Sequence, residues 1–148
     1  MAKHSHIVWD ISKSAAENAS SKLPKLARAY FRTGRALFDA APSASALHGF
    51  RLETKRLRYT LELFRSLYGP GLDRRLALLR SMQDYLGEIN DCAVTQKLVG
   101  RRRLKIAVFL QNRMTRRTRA LTGYWRRTFD APGQQQWWTD YLARFAKE

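Results

Sequence analysis

One cysteine, Cys92, is all the chain has, so no disulfide can form within it, and the thiol fits a reducing compartment as a small buried side chain. Only four prolines occur, and all of them sit at the edges of patterned segments. No segment of alternating period bounded by hairpin signals is present, which excludes a sheet. Acidic residues are scarce, 12 against 28 lysines and arginines, for a formal net charge of +16 and a pI near 10.9. Such a balance does not select a fold, but it directs the chain toward anionic partners. The apolar run near the start, Ile7-Val8-Trp9, is too short for a signal peptide or a membrane span, so a cytoplasmic protein without a membrane partner is expected.

Chemical motifs are missing as well. The chain has no glycine-rich phosphate loop, no nucleophile elbow, no paired metal-ligand motif and no carboxylate pair on a basic face. His4 and His6 alternate in a polar tail with no cysteine or acidic partner, so no metal is expected there. His48 lacks an orienting partner or a nucleophile in sequence. No catalytic residue, no cofactor and no enzyme activity are expected.

What is present is helical periodicity over most of 148 residues, enough for one domain with a core. Residues 1–21 read as a polar lead-in, irregular or loosely helical, and residues 22–148 as a single helical domain. In residues 22–40, Leu23, Leu26, Tyr30, Leu37 and Phe38 face inward, with Pro24 tolerated in the first turn. Residues 41–45 form a turn in which Ser43 or Ser45 caps the next helix. Residues 47–68 carry the sharpest pattern and end at Gly69-Pro70-Gly71. Residues 72–98 follow, with Leu76, Leu79, Met82, Leu86 and Ile89 inward; Gly87 and Asn90-Asp91 leave open a kink or two helices. Residues 104–129 place Ile106, Leu110, Met114, Leu121 and Trp125 on an apolar side. A terminal helix then bears Trp137, Trp138, Tyr141, Leu142 and Phe145. These patterns and their short connections predict an all-α fold, an antiparallel bundle of about five helices.

Residues 47–68 have two faces. Leu47, Phe50, Leu57, Leu61, Phe64 and Tyr68, with Thr54 in one slot, form a stripe for the core. His48, Arg51, Lys55, Arg58 and Tyr59 share a neighbouring sector that extends roughly 16 Å at 1.5 Å per residue. Arginine forks, a lysine, an imidazole able to donate even when neutral and a phenol together suit oxyanions arrayed along a linear polymer. Arg56 and Arg65 point elsewhere and read as solvated or paired with Glu53 or Glu62.

Two motifs also carry a resemblance. LHGFRLETKRLRYTLELFRSLYG followed by LLRSMQDYLGEINDCAV resembles the CHAD family, the conserved-histidine α-helical domain. His48, Arg51, Lys55, Arg56, Arg58 and Tyr59 match in the first motif, and Gln83, Leu86, Gly87, Asn90 and Asp91 in the second. The resemblance implies a domain that binds inorganic polyphosphate in a basic groove and that is found on polyphosphate granules in many members. His48, Arg51, Lys55 and Arg58 would line the groove, Tyr59 and Arg56 would lie near it, and Asn90 and Asp91 would fix the helices. Arg113, Arg116 and Arg117 of the fourth pattern join the expected polyphosphate-binding set. The family's domain looks like two four-helix repeats facing each other, whereas only one His-basic helix is found here. A homodimer that pairs two such helices is therefore expected, with the aromatic terminal helix as a second motive. Sequence-independent nucleic-acid binding through the arginine-rich helices is the alternative, followed by a granule-surface scaffold that docks a protein through its aromatic end.

Overall fold

The computed structural model describes residues 7–147, all of its regular structure helical: α1 (Ala15–Asp39), α2 (Ala44–Leu63), α3 (Arg65–Tyr68), α4 (Pro70–Val99), α5 (Leu104–Tyr124) and α6 (Gln134–Arg144). His4 and His6 lie outside the described residues. Helix α1 begins seven residues before the point the apolar pattern suggests. Ser14 and Glu17 explain this, since the Ser14 hydroxyl accepts from the Glu17 N–H while the Glu17 carboxylate accepts from the Ser14 N–H. Ser43 caps α2 in the same way, accepting from the Ala46 N–H at 3.1 Å. Gly69 and Gly100 take positive φ values of 74° and 62°, which glycine alone adopts cheaply, and so turn the chain into α4 and out of it.

Neighbouring helices run antiparallel, as the pairings across them show. Tyr30 bonds to Thr54 and Phe38 packs on Phe50 between α1 and α2; His48 meets Asn90 and Glu62 meets Arg80 between α2 and α4. Glu88 meets Arg117, and Gln96 meets Gln111, between α4 and α5. Helix α4 is continuous through Gly87, Asn90 and Asp91, which excludes two separate helices there. By contrast, the pattern over residues 47–68 is broken at Phe64, whose N–H reaches back to Leu61 and Glu62. The break carries Tyr68 into the core, where its hydroxyl donates to the Leu142 carbonyl at 2.8 Å.

Trp125 is the centre of the core. It opens a π turn (Trp125–Phe129), stacks on Phe129 at 5.1 Å and on Phe38 at 5.3 Å, and touches Phe31 and Phe50. Gly34 of α1 provides the space, because a methyl there would lie 2.2 Å from the indole. Phe31, which the sequence pattern left outside its inward set, is buried at this junction, while Leu26 and Leu37 are only partly buried.

Helix α6 seals its own bundle. Trp138 and Leu142 are fully buried, and Trp137 and Tyr141 sandwich the guanidinium of Arg75 at 3.5 and 3.9 Å. Arg75 also donates to the carbonyls of Gly71 and Trp137, and burial pushes its guanidinium down to about 10. Of the aromatic stripe only Phe145 remains exposed, stacked on Tyr141. The second motive for a dimer is therefore gone, since those side chains already have partners within the chain.

The other departure lies at the far end of α4 and α5. Ile106, placed on the apolar side of its helix by periodicity, is 39% exposed. No residue between Ala93 and Phe109 is buried, and the small cluster of Cys92, Leu110 and Met114 is the last packed layer before the two helices run on beyond the core.

Candidate anion-binding site

The cationic sector of α2 lies against α4, and two bonds fix the register. At one end His48 Nδ1 lies 3.0 Å from Asn90 Oδ1. An amide oxygen only accepts, so Nδ1 carries the proton, and Nε2 of the neutral ring presents a lone pair. His48 donates to an oxyanion from Nε2 only as the imidazolium. At the other end Glu62 lies 3.5 Å from Arg58 Nε and 3.6 Å from Arg80, joining α2 to α4.

Between these braces stand Arg51 and Lys55, one turn apart and half-buried. Neither has a hydrogen-bond or ion-pair partner among the described residues. Arg58 packs its guanidinium over the Tyr59 ring at 4.9 Å, and its buried Nε makes no hydrogen bond. Tyr59 is half-exposed at the edge. Arg56 is outside the row and pairs with Glu53 at 3.0 Å, as its position on the helix suggested. On α4 the Oε1 of Gln83 is buried without a partner among the described residues, and a methyl on Gly87 would meet none of their atoms within 4 Å.

The expected α5 contribution is placed differently. Arg117 is tied to Glu88 at 3.1 Å, while Arg113 is half-buried and Arg116 exposed without an ion pair among the described residues. Glu88 and Asn90 are two residues apart on α4, about 200° around the helix at 3.6 residues per turn. The α2 and α5 rows therefore occupy opposite flanks of α4. Its outward stripe of Asp84, Gly87 and Asp91 runs between them, so the two rows do not share one groove.

A distinct concavity lies elsewhere. A groove of about 1020 Å³ lies between the α1–α2 corner and α5, lined by Phe38, Pro42, Leu47, Met114, Arg119 and Arg126, and none of the expected binding residues borders it.

The sequence profile of the CHAD domain matches residues 3–100, about two-thirds of the chain, from before α1 through the end of α4. The chain belongs to the CHAD domain family. No curated protein and no solved structure matches it. The CHAD match contains both motifs and the bond that joins them, His48 to Asn90. It ends before α5, so Arg113, Arg116 and Arg117 lie outside the CHAD segment.

Proposed function

We propose that this CHAD protein binds inorganic polyphosphate along the α2 row, as a binding module without catalytic activity, and that this binding places it on polyphosphate granules in the cytoplasm. The observation that carries the reading is the state of Arg51 and Lys55. They are half-buried cations, held in register by braces at both ends of the row, with no carboxylate among the described residues to neutralise them. Two partly desolvated positive charges one turn apart favour an anion that can meet both. A linear polyphosphate does so with successive phosphoryl groups, and Arg58, Tyr59 and His48 extend the row to roughly 16 Å. Arg56, occupied with Glu53, contributes only at the edge.

Membership in the CHAD family supports polyphosphate over nucleic acid as the ligand. Nucleic-acid binding through Arg113, Arg116 and Arg117 remains the second reading, because these arginines form a separate basic flank outside the matched segment. Competition separates the two: long-chain polyphosphate held by the protein should resist displacement by duplex DNA at equal phosphate concentration, and ready displacement would remove the preference. The row is one-sided, and a second copy facing it supplies the missing wall in this reading. Light scattering that finds a monomer both with and without polyphosphate would contradict the pairing. The burial of Trp138 and Leu142 in the core speaks against a scaffold role for the aromatic end.

A further inference from the structure

The α4–α5 hairpin runs past the packed core, and its projecting part has an unusual surface. Six large apolar side chains are exposed within it: Val94 and Leu98 on α4, and Leu104, Ile106, Val108 and Phe109 on α5. Leu98 and Leu104, 83% and 71% exposed, bracket the turn that carries Arg101, Arg102 and Arg103. Lys97 and Lys105 flank the same turn. Between Cys92 and Phe129 the chain holds eleven lysines and arginines and no aspartate or glutamate. None of this surface belongs to the α2 row.

From this combination we infer that the hairpin tip docks on an anionic lipid surface. Exposed apolar groups call for a partner that excludes water, and the unrelieved positive charge calls for an anionic one. A second copy of this tip meets the first need and fails the second, because it sets the same basic cluster against itself. A bilayer with anionic headgroups meets both. Leucine, valine and phenylalanine side chains partition below the headgroups, and each lysine or arginine near the surface adds its attraction to the lipid phosphates. The arginines of the turn have stems long enough to lie along the apolar layer while their guanidinium groups stay at the phosphates. The apolar groups also occupy more than one side of α5, since Ile106 and Val108 are two residues and about 200° apart. A bilayer surrounds such a tip, whereas a protein partner covers one face of it. The expectation of no membrane partner rested on the lack of a spanning segment, and among the described residues no helix is long and apolar enough to cross a membrane. Docking on a surface requires no span.

The test uses the full chain with vesicles of phosphatidylcholine alone or with about a third phosphatidylglycerol. Co-sedimentation is expected with the anionic vesicles and not with the neutral ones. The double substitution Leu98→Ser and Phe109→Ser, at exposed positions and so without cost to the fold, should weaken binding about tenfold or more. Phe109→Trp should show a blue-shifted emission on the anionic vesicles. Arg51→Ala with Lys55→Ala should bind them as the parent does. Equal binding by the Leu98/Phe109 variant would overturn the proposal by assigning attachment to net charge alone. Loss of binding in the Arg51/Lys55 variant would overturn it by assigning attachment to the α2 row. So would a chain that is dimeric without vesicles and rendered monomeric by the Leu98/Phe109 substitutions, since a second copy would then cover the tip.

Discussion

Replacing Gly34 with alanine and Gly87 with alanine makes the same chemical change inside two helices, and the structure gives the two changes opposite signs. Each replaces a helix-interior glycine with the best helix former, a gain of about 1 kcal/mol. At Gly87 the new methyl meets no atom within 4 Å, so the gain is unopposed. At Gly34 it lands 2.2 Å from Cη2 of Trp125 and 2.5 and 2.7 Å from two further ring carbons. The indole has nowhere to go: it is 2% exposed, with Phe129 stacked at 5.1 Å and Phe38 at 5.3 Å. Overpacking a closed core costs about 1–3 kcal/mol, and a contact this short against a fixed ring belongs at the upper end. Offset by the helix gain, Gly34→Ala should destabilise by about 2 kcal/mol, and the two variants should differ by about 3 kcal/mol. For a chain of this size about 1 kcal/mol shifts the melting temperature by about 2–4 °C, so the variants should melt about 6–12 °C apart, with Gly34→Ala below the parent. Urea unfolding followed by tryptophan fluorescence gives the same comparison as free energies. A Gly34→Ala protein as stable as the parent would refute the seating of Trp125 on α1, and with it the packing of the π turn.

Two further predictions concern the buried tyrosines and His48. Burial holds the phenols of Tyr30, Tyr68 and Tyr124 above the usual tyrosine range. Their stabilisation is fully present below about pH 10, where unfolded tyrosines titrate, and is lost as pH rises through the higher folded-state values. Arg75 acts in the opposite sense, because burial pushes it down to about 10 and the cost of burying its charge fades as pH rises through that value. With three phenols against one guanidinium, the melting temperature should fall above about pH 10; a flat or rising profile would contradict their burial. The second prediction follows from the His48–Asn90 bond, which holds the imidazole at the end of the α2 row. His48→Ala removes that ring and should weaken polyphosphate binding by about threefold or more. An unchanged affinity in the His48→Ala protein would remove His48 from the site.

Local rules carried the fold a long way. Leu47, Phe50, Leu57 and Leu61 are all buried as their spacing requires, and the Thr54 slot is explained by hydrogen bonds to Tyr30 and to the Phe50 carbonyl. The early start of α1 was readable too, in the Ser14-Ala15-Ala16-Glu17 signature. Periodicity failed where the outcome depends on a partner remote in sequence. It reports that Ile106 lies on an apolar face but not that the bundle ends before reaching it. It supplies no partner for Arg75, because the aromatic pair that receives it, Trp137 and Tyr141, comes more than sixty residues later. The same limit applies to the site. The α2 row was legible as a sector of one helix, whereas the Asn90 contact that holds His48, the lack of an ion-pair partner for Arg51 and Lys55 among the described residues, and the separation of the α5 arginines onto the other flank of α4 are properties of the assembled helices.

The central claim is that the α2 row holds polyphosphate. The measurement closest to it is a calorimetric titration of the parent and of the Arg51→Ala, Lys55→Ala double variant with long-chain polyphosphate, repeated at two salt concentrations. Both side chains lie outside the packed core, so circular dichroism should be unchanged. The account predicts saturable binding by the parent that weakens steeply with salt as counterions are released, and a loss of about tenfold or more in the double variant. Equal affinities in the two proteins, or no binding by the parent at low salt, would contradict it.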